Sequence, residues 1–277
     1  MRNVWTTIIA LLPLLVCCCD PAEDSNGKTP PLVVEGWIED DGYPVVMVTR
    51  AVDLQGEVQD FDKCVEKWCR VSVSDGTQTV LLSGRIDNTY MPPFIYTTTK
   101  MKGEIGKTYH LKVETEKECV EADSQLLPYN LIRRLEAVRC EDSDTLYRVV
   151  AYADIDKDKN YKFFSRVMNN ERRFYSSFLG TFEGRTYDAE RGFDVMKGIH
   201  DTYNASYTPY YHRGDTVRVK LCTLTPEIYA FWRAYENTVS MSKNMFFTSV
   251  EGGPSNIPGA LGYWAAYGYS ARMVVVK

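Results

Sequence analysis

Short runs of β-branched and aromatic residues, separated by glycine-containing turns, constrain most strongly what this chain can fold into. In CRVSVSD, Val71 and Val73 alternate with polar residues, and an Asp75-Gly76 turn follows. The segments LVVEGWI and GKTYHLKV show related strand-like patterns. A period of two places apolar side chains on one face of a strand, and short strands at this spacing are typical of a β-sandwich. The sequence therefore predicts a mainly β protein.

The strand patterns divide the chain into two predicted domains. Residues 32–118 predict an immunoglobulin-like β-sandwich, and residues 119–277 predict an antiparallel β-sheet or a barrel-like domain. The passage between them falls in the segment from Glu118 to Asp144, which contains a Leu127-Pro128 break. The roughly 260 residues that follow the predicted signal peptide are enough for two domains of ordinary size or for one large β domain, and two domains are favoured.

One amphipathic helix is predicted near residues 226–240. Thr225 is a favourable N-cap, and Pro226 occupies the favoured first helical position. A stripe of apolar residues repeats at helical spacing and comprises Ile228, Phe231, Trp232, Tyr235 and Val239. We expect this stripe to pack on the sheet, although the same aromatic rings are also suited to binding a ligand.

The chain begins with a short apolar segment that ends in a cysteine cluster. Arg2 provides a positive charge, and the stretch from Ile8 to Asp20 reads IIALLPLLVCCCD. An apolar run of about ten to thirteen residues fits a signal sequence and is too short to cross a membrane as a helix. The sequence therefore predicts that residues 1–17 are a signal peptide and that the remainder is exported.

The cysteine cluster resembles the box at which bacterial lipoproteins are cleaved and acylated. Cys18 has Leu15 three places before it and the small Cys17 directly before it. Cys19 is the alternative, with Val16 in the place of the leucine. We expect lipid on Cys18 to anchor the protein to a membrane. The competing interpretation is an ordinary secretory signal, but the segment has no A-x-A cleavage site.

Residues 18–31 have the composition of a flexible tether, with proline, glycine, serine and charge but little apolar surface. Asp20, Glu23 and Asp24 resemble the acidic signal that sends lipoproteins of the Bacteroidetes to the outer face of the outer membrane. This resemblance favours a surface-exposed, lipid-anchored protein. The formal net charge of −5 argues against nucleic acid as a partner.

Five cysteines lie outside the signal cluster, and an exported protein can form disulfides. Cys119 and Cys140 flank the predicted passage between domains and are candidates for a disulfide that closes it. Cys64 and Cys69 bracket a short loop and are a second candidate pair. Sequence alone leaves the connectivity open. No C-x-x-C pair and no adjacent histidine pair is present, so no metal site is predicted.

The motifs of catalysis are absent from the sequence. There is no G-x-S-x-G elbow and no glycine-rich phosphate loop, and the three histidines have no metal-ligand spacing. We therefore predict no catalytic residues and no cofactor. A hydrolase acting on a captured glycan or peptide stays open as a minor alternative, because catalytic groups on β folds are often unreadable from one sequence.

Aromatic residues are concentrated in two segments, from Arg172 to Tyr211 and after the glycine-rich PSNIPGALG. Gly259 and Gly262 are expected to form a tight corner of the chain. Tyrosine and tryptophan offer large contact areas with a polar tip. The predicted ligand or partner contacts are Tyr175, Tyr207, Tyr210, Tyr211, Trp264 and Tyr267. Filling of the β core is the alternative role for these rings.

Several segments together resemble a known family. They are LVVEGWI, GKTYHLKV, DKDKNYKFF, HRGDTVRVKL followed by TPEIYAFWRAYE, and GGPSNIPGALGYWAAY. The chain resembles the Bacteroidetes surface lipoproteins classed as domain of unknown function 4249. Gly259-Ala260 stands where that family usually has two glycines.

The resemblance implies a location and a partner more clearly than a chemistry. Members resemble accessory lipoproteins encoded beside TonB-dependent outer-membrane receptors. The expectation is a non-enzymatic lipoprotein that captures a glycan, a peptide or another small nutrient for such a receptor. A structural or adhesive surface lipoprotein is the alternative.

Overall fold

The computed structural model describes residues 29–51, 61–198, 207–241 and 255–277. The predicted signal peptide, Cys18 and most of the predicted tether lie outside these ranges. The chain from Pro31 onward forms one compact unit. Within the described ranges, no helix is both long enough and apolar enough to cross a membrane.

The described residues form mainly strands, with one α-helix and two short 3₁₀ helices at Phe61–Cys64 and Gly184–Thr186. The strands are β1 (Leu32–Glu39), β2 (Val45–Arg50), β3 (Arg70–Ser74), β4 (Thr79–Leu81), β5 (Ser83–Ile86), β6 (Phe94–Thr97), β7 (Thr108–Glu114), β8 (Cys119–Gln125), β9 (Ile132–Arg139), β10 (Leu146–Ala153), β11 (Asn160–Val167), β12 (Tyr175–Glu183), β13 (Phe193–Val195), β14 (Tyr211–His212), β15 (Thr216–Leu224) and β16 (Leu261–Val275). The helix α1 spans Pro226–Met241.

The largest sheet, here called the main sheet, has the order β12-β11-β15-β16-β1-β2-β6-β5. Its central strand is β16, which is 15 residues long. The first half of β16 pairs in parallel with β1, from Leu261 to Tyr267. The second half pairs antiparallel with β15, from Gly268 to Val275. A single strand therefore connects the N-terminal and C-terminal parts of the sheet.

Two smaller sheets cover one face of the main sheet. The first has the order β4-β3-β7-β8, and the second has β10 at its centre, paired with β9, β13 and β14. Val71 and Leu111 of the first small sheet share a core with Val34 of β1. Tyr147 and Val149 of β10 belong to a second core. Each small sheet thus forms a sandwich with its own half of the main sheet.

The opposite face of the main sheet carries α1. Ile228 and Trp232 of this helix are buried against β11, β15 and β16. The Trp232 indole N–H donates a hydrogen bond of 2.9 Å to the Tyr267 hydroxyl. Lys162 and Glu236 form a fully buried ion pair beneath the helix. The apolar stripe and this pair together fix α1 on the sheet.

The structure confirms the predicted mainly β fold, with an N-terminal β-sandwich, further antiparallel sheet and one packed helix. The helix predicted near residues 226–240 is α1. Of the two forms expected for the C-terminal part, the described residues show open sheets and no closed barrel. The boundary predicted between residues 118 and 119 lies between β7 and β8, which pair with each other in one sheet. In this part of the chain, Leu126 still packs in the first core, whereas Ile132 packs in the second.

Trp264 of β16 lies at the centre of the first core. Its side chain is fully buried, and its indole N–H donates a hydrogen bond of 2.8 Å to the Tyr109 carbonyl oxygen on β7. Gly36 of β1 leaves room for the ring, because a Cβ atom there would lie 2.9 Å from the indole. The Asn256 side chain holds the Trp264 backbone through both its N–H and its carbonyl. Trp264 therefore joins the main sheet to the first small sheet.

Trp264→Ala should lower the free energy of unfolding by about 3–5 kcal/mol, because it removes a buried aromatic ring and leaves a cavity. Urea denaturation followed by circular dichroism measures this change. Trp68→Ala is the matched control, because Trp68 is 91% exposed and its loss should change stability by no more than about 0.5 kcal/mol. Equal effects of the two substitutions would contradict the assigned role of Trp264.

Candidate functional site

Part of the main-sheet face that carries α1 is only half-buried and is rich in rings and charges. Along β1, Val34 and Ile38 point into the first core, while Glu35, Trp37 and Glu39 point to the other side. We call the surface around them the charged aromatic face. It comprises Glu35, Trp37, Glu39, Tyr90, Arg173, Phe174, Tyr175, Lys220 and Tyr269.

Lys220 of β15 is the first cation of the charged aromatic face, and its charge is satisfied. Its ammonium group forms an ion pair with Glu39. The same group lies 4.7 Å from the centre of the Phe174 ring and 5.3 Å from that of Tyr269. These contacts stabilise a nearly buried charge. Lys220 and Glu39 therefore form a structural pair that orders this part of the surface.

Arg173 is the second cation, and no described residue forms a hydrogen bond or an ion pair with its guanidinium group. Its guanidinium carbon lies 5.1 Å from the centre of the Tyr90 ring and 4.9 Å from that of Tyr175. The Trp37 ring follows at 6.1 Å from that of Tyr90. The Nε–H of Arg173 is buried, and no described residue accepts a hydrogen bond from it. An unsatisfied buried donor is costly and is rare in folded proteins.

Glu35 supplies a carboxylate on the same face. Burial raises the pKa of this carboxyl, and the positive charge of Arg173 offsets only part of the increase. The rings of Tyr235 and Tyr263 lie close enough to feel its charge. A carboxylate whose ionised form is disfavoured by its surroundings, next to an unsatisfied arginine, is typical of a ligand-binding site.

The charged aromatic face can bind a ligand in two complementary ways. Its half-buried rings offer flat surfaces for stacking, and Arg173 offers a planar set of hydrogen-bond donors. Glu35 can accept a hydrogen bond when ionised or donate one when protonated. The arrangement is that of a recognition surface on rigid strands, with its charges held by ring contacts.

A second depression lies beside the N-terminus of α1. It is lined by Lys157, Asp158, Lys159, Asn160, Glu183, Arg185 and Tyr229. The Glu183 carboxylate already accepts hydrogen bonds from Arg185 and from the Tyr229 hydroxyl. Its acidic group is therefore engaged, which makes this depression a weaker candidate than the charged aromatic face.

The structure separates the six aromatic residues predicted as contacts. Tyr175 belongs to the charged aromatic face. Tyr207 and Tyr210 are half-buried, and the Tyr207 hydroxyl donates a hydrogen bond of 2.6 Å to the Lys197 carbonyl. The remaining three are buried in the cores, where a ligand has no access, and are Tyr211, Trp264 and Tyr267.

The burial of these three rings has a common cause. Tyr211 lies in the second core, and Trp264 and Tyr267 lie on opposite faces of β16, a strand covered on both sides. Gly259 and Gly262 do form the predicted corner, with φ of 84° and 97°. The corner delivers the aromatic residues into the middle of the main sheet, so their role here is packing.

The possible disulfide between Cys119 and Cys140 is not present in the structure, where both residues are free thiols. The chain between them runs alongside β16 without turning back. Ala266 of β16 donates a hydrogen bond to Ser124, and further along Arg272 donates one to Ile132. The two cysteines therefore lie at opposite ends of an extended stretch. Cys69, of the second candidate pair, is also a free thiol.

Sequence reasoning identified one residue of the site, Tyr175, and missed Arg173, Glu35 and Lys220. A signal for two of them was present. Glu35 and Lys220 are charged residues inside otherwise apolar strands, and alternation places each on the face opposite the core. Arg173 precedes β12, and no local pattern distinguishes it from the neighbouring Arg172.

Comparison with known proteins identifies one family. The family described as "Domain of unknown function (DUF4249)" matches residues 19–272. A search of curated proteins finds no match.

Glu35→Gln should stabilise the protein at pH 7, by about 0.5–2 kcal/mol, because it removes a buried charge that is incompletely compensated. A carboxyl whose pKa is raised in the folded state contributes most to stability at a pH below its pKa in the unfolded chain, here 4.5. This contribution to stability is lost as the pH rises through the folded-state pKa. The gain should therefore shrink towards pH 4, as measured by urea denaturation across this range. Glu190→Gln, at an exposed position, is the control and should have little effect at either pH. A destabilised Glu35→Gln variant at pH 7 would contradict the interpretation.

Proposed function

The chain belongs to the family described as domain of unknown function DUF4249, and from this premise we propose that it is a surface-exposed outer-membrane lipoprotein that captures a nutrient for a TonB-dependent receptor. In this proposal the protein binds its ligand without converting it. The receptor partnership follows from the resemblance, and the binding role follows from the charged aromatic face.

The N-terminal sequence supports the lipid anchor. The family match begins at residue 19, directly after Cys18, the predicted site of acylation. The first strand begins at Leu32, which leaves a polar stretch between the anchor and the folded unit. A lipid on Cys18 holds the compact unit at the membrane while the strands remain in water.

The observation that carries the capture role is the Arg173 guanidinium, which lies between two tyrosine rings with a buried donor that no described residue satisfies. Folding leaves such a group unpaired at a cost of about 1–3 kcal/mol. The guanidinium is ordered by the two rings, and its terminal nitrogens, which form no hydrogen bond or ion pair with a described residue, are the donors that a ligand can use. The stacked rings provide contact area for the rest of the ligand.

The acidic groups of the charged aromatic face favour binding over hydrolysis. Glu35 and Glu39 lie on the same side of β1, four residues apart, so their backbones are separated by about 13 Å. Carboxyl pairs that hydrolyse glycosides are about 5–9.5 Å apart. Glu39 is also engaged by Lys220. The ion pair with Lys220 therefore leaves Glu35 as the carboxyl of this surface that is not engaged by a cation among the described contacts, which supports a binding role.

Cys18→Ala should abolish acylation and release the protein from the membrane, because the thiol that carries the lipid is lost. Metabolic labelling with an alkyne fatty acid, followed by membrane fractionation, measures both effects in the native host. Cys19→Ala is the matched control and should retain label and membrane association. Loss of label only in the Cys19→Ala variant would move the anchor to Cys19.

Affinity purification of the tagged protein from gently solubilised outer membranes should recover a TonB-dependent receptor in near-stoichiometric amounts. Mass spectrometry identifies the recovered proteins. An unrelated outer-membrane lipoprotein carrying the same tag controls for non-specific recovery. Purification of the lipoprotein alone would overturn the receptor partnership and favour the structural or adhesive alternative.

A further inference from the structure

Arg173 and Arg218 are half-buried cations that form no ion pair or hydrogen bond with another described residue, in contrast to Lys220, Lys162 and Arg50. Lys220 pairs with Glu39, Lys162 pairs with Glu236, and Arg50 pairs with Glu66 and Glu118. Arg173 is held by rings alone, and among the described residues no oxygen accepts its Nε–H. The structure thus orders this side chain but leaves its donors unoccupied.

Glu35 does not fill this role. It is close enough to Arg173 for the two charges to attract, yet no direct ion pair or hydrogen bond joins them among the described contacts. A donor group and an acceptor group thus lie near each other on one surface without being bonded. Trp37 and Tyr90 form an aromatic surface beside them, with ring centres 6.1 Å apart.

We propose that Arg173 binds the carboxylate of a small ligand, whose body packs on the rings of Tyr90 and Trp37. This inference rests on the proposed capture function and names the chemical class of the captured molecule. The two terminal nitrogens of the guanidinium donate two parallel hydrogen bonds to the two carboxylate oxygens. Glu35 accepts or donates a hydrogen bond to a hydroxyl or amine next to that carboxylate.

The charges around the site favour a carboxylate over a phosphate. A phosphate monoester carries up to two negative charges at neutral pH. Beside the carboxyl of Glu35 the site offers the guanidinium of Arg173, whereas Arg218 lies further along the face, over the Phe174 ring. A planar monoanion matches both the single charge and the planar donor pair of arginine. Acidic sugars and peptides with a free C-terminus share this chemistry.

Binding is measured by isothermal titration calorimetry on the full-length protein purified in mild detergent. The probes are a galacturonic acid trisaccharide, the dipeptide Ala-Phe and phenylpropionate. Their controls are the neutral galactose trisaccharide, Ala-Phe amide and phenylpropanol. At least one acid should bind, and its neutral control should bind at least about 10-fold more weakly, as expected for loss of a charge-assisted bidentate pair. The acid that binds distinguishes a sugar ligand from a peptide ligand.

Arg173→Gln should weaken binding of that acid by about 10-fold or more, whereas Arg172→Gln, at the exposed neighbouring arginine, should leave it unchanged. Arg173→Lys keeps the charge but loses the planar donor pair, so its affinity should lie between those of the native protein and Arg173→Gln. Thermal unfolding of each variant verifies that the fold is intact. If Arg173→Gln does not fold, Arg173→Lys and the acid and neutral probe pairs still test the proposal.

The proposal is overturned by any of three results. The first is that no acid binds at about 10 mM, a concentration at which a ligand of millimolar Kd would saturate the site. The second is that the acid and neutral probes bind equally well. The third is that a folded Arg173→Gln variant still binds the acid with native affinity. Displacement of the acid by equimolar inorganic phosphate would overturn the preference for a carboxylate. The receptor can be recovered in the affinity purification without any ligand, so the two experiments are independent. If the receptor is recovered but no acid binds, only this inference is rejected. If an acid binds but no receptor is recovered, only the receptor partnership is rejected.

Discussion

The pairing of β16 with two different strands, β1 and β15, is the constraint on which the rest of this structure depends. Its first half pairs with β1 and its second half with β15, so one strand carries the hydrogen bonds that unite both ends of the chain. Gly262 makes this possible at the entry to the strand, because a Cβ atom there would lie 2.1 Å from the Val34 carbonyl oxygen. The fully buried Trp264 then ties the strand to the first small sheet.

The location of the charged aromatic face follows from this arrangement. Two small sheets cover one face of the main sheet, so apolar side chains can satisfy that face completely. Among the described residues, one helix covers part of the other face, and charged residues such as Lys220 and Glu35 lie there beside aromatic rings. The main sheet is thus a rigid support, and the surface that it leaves half-buried is suited to recognition.

The anchor and the binding surface are separate parts of the chain in the proposed function. Cys18 precedes the compact unit, whereas Arg173 and Glu35 lie on strands or strand ends within it. The strands of the main sheet keep Arg173 and the rings in a fixed geometry. A captured carboxylate would be held by interactions that do not require the anchor to be ordered.

The sequence by itself determined the strands, the helix α1 and the glycine corner, because periodicity, capping and backbone freedom are local properties. It also provided the family resemblance and the expectation of an anchor at Cys18. Only the tertiary structure decided that Trp264 and Tyr267 are buried, that Cys119 and Cys140 lie far apart, and that Arg173 meets Tyr90. An alternating pattern shows which residues share a face of a strand but not what covers that face. That depends on contacts between residues far apart in the chain, such as β1 with β16.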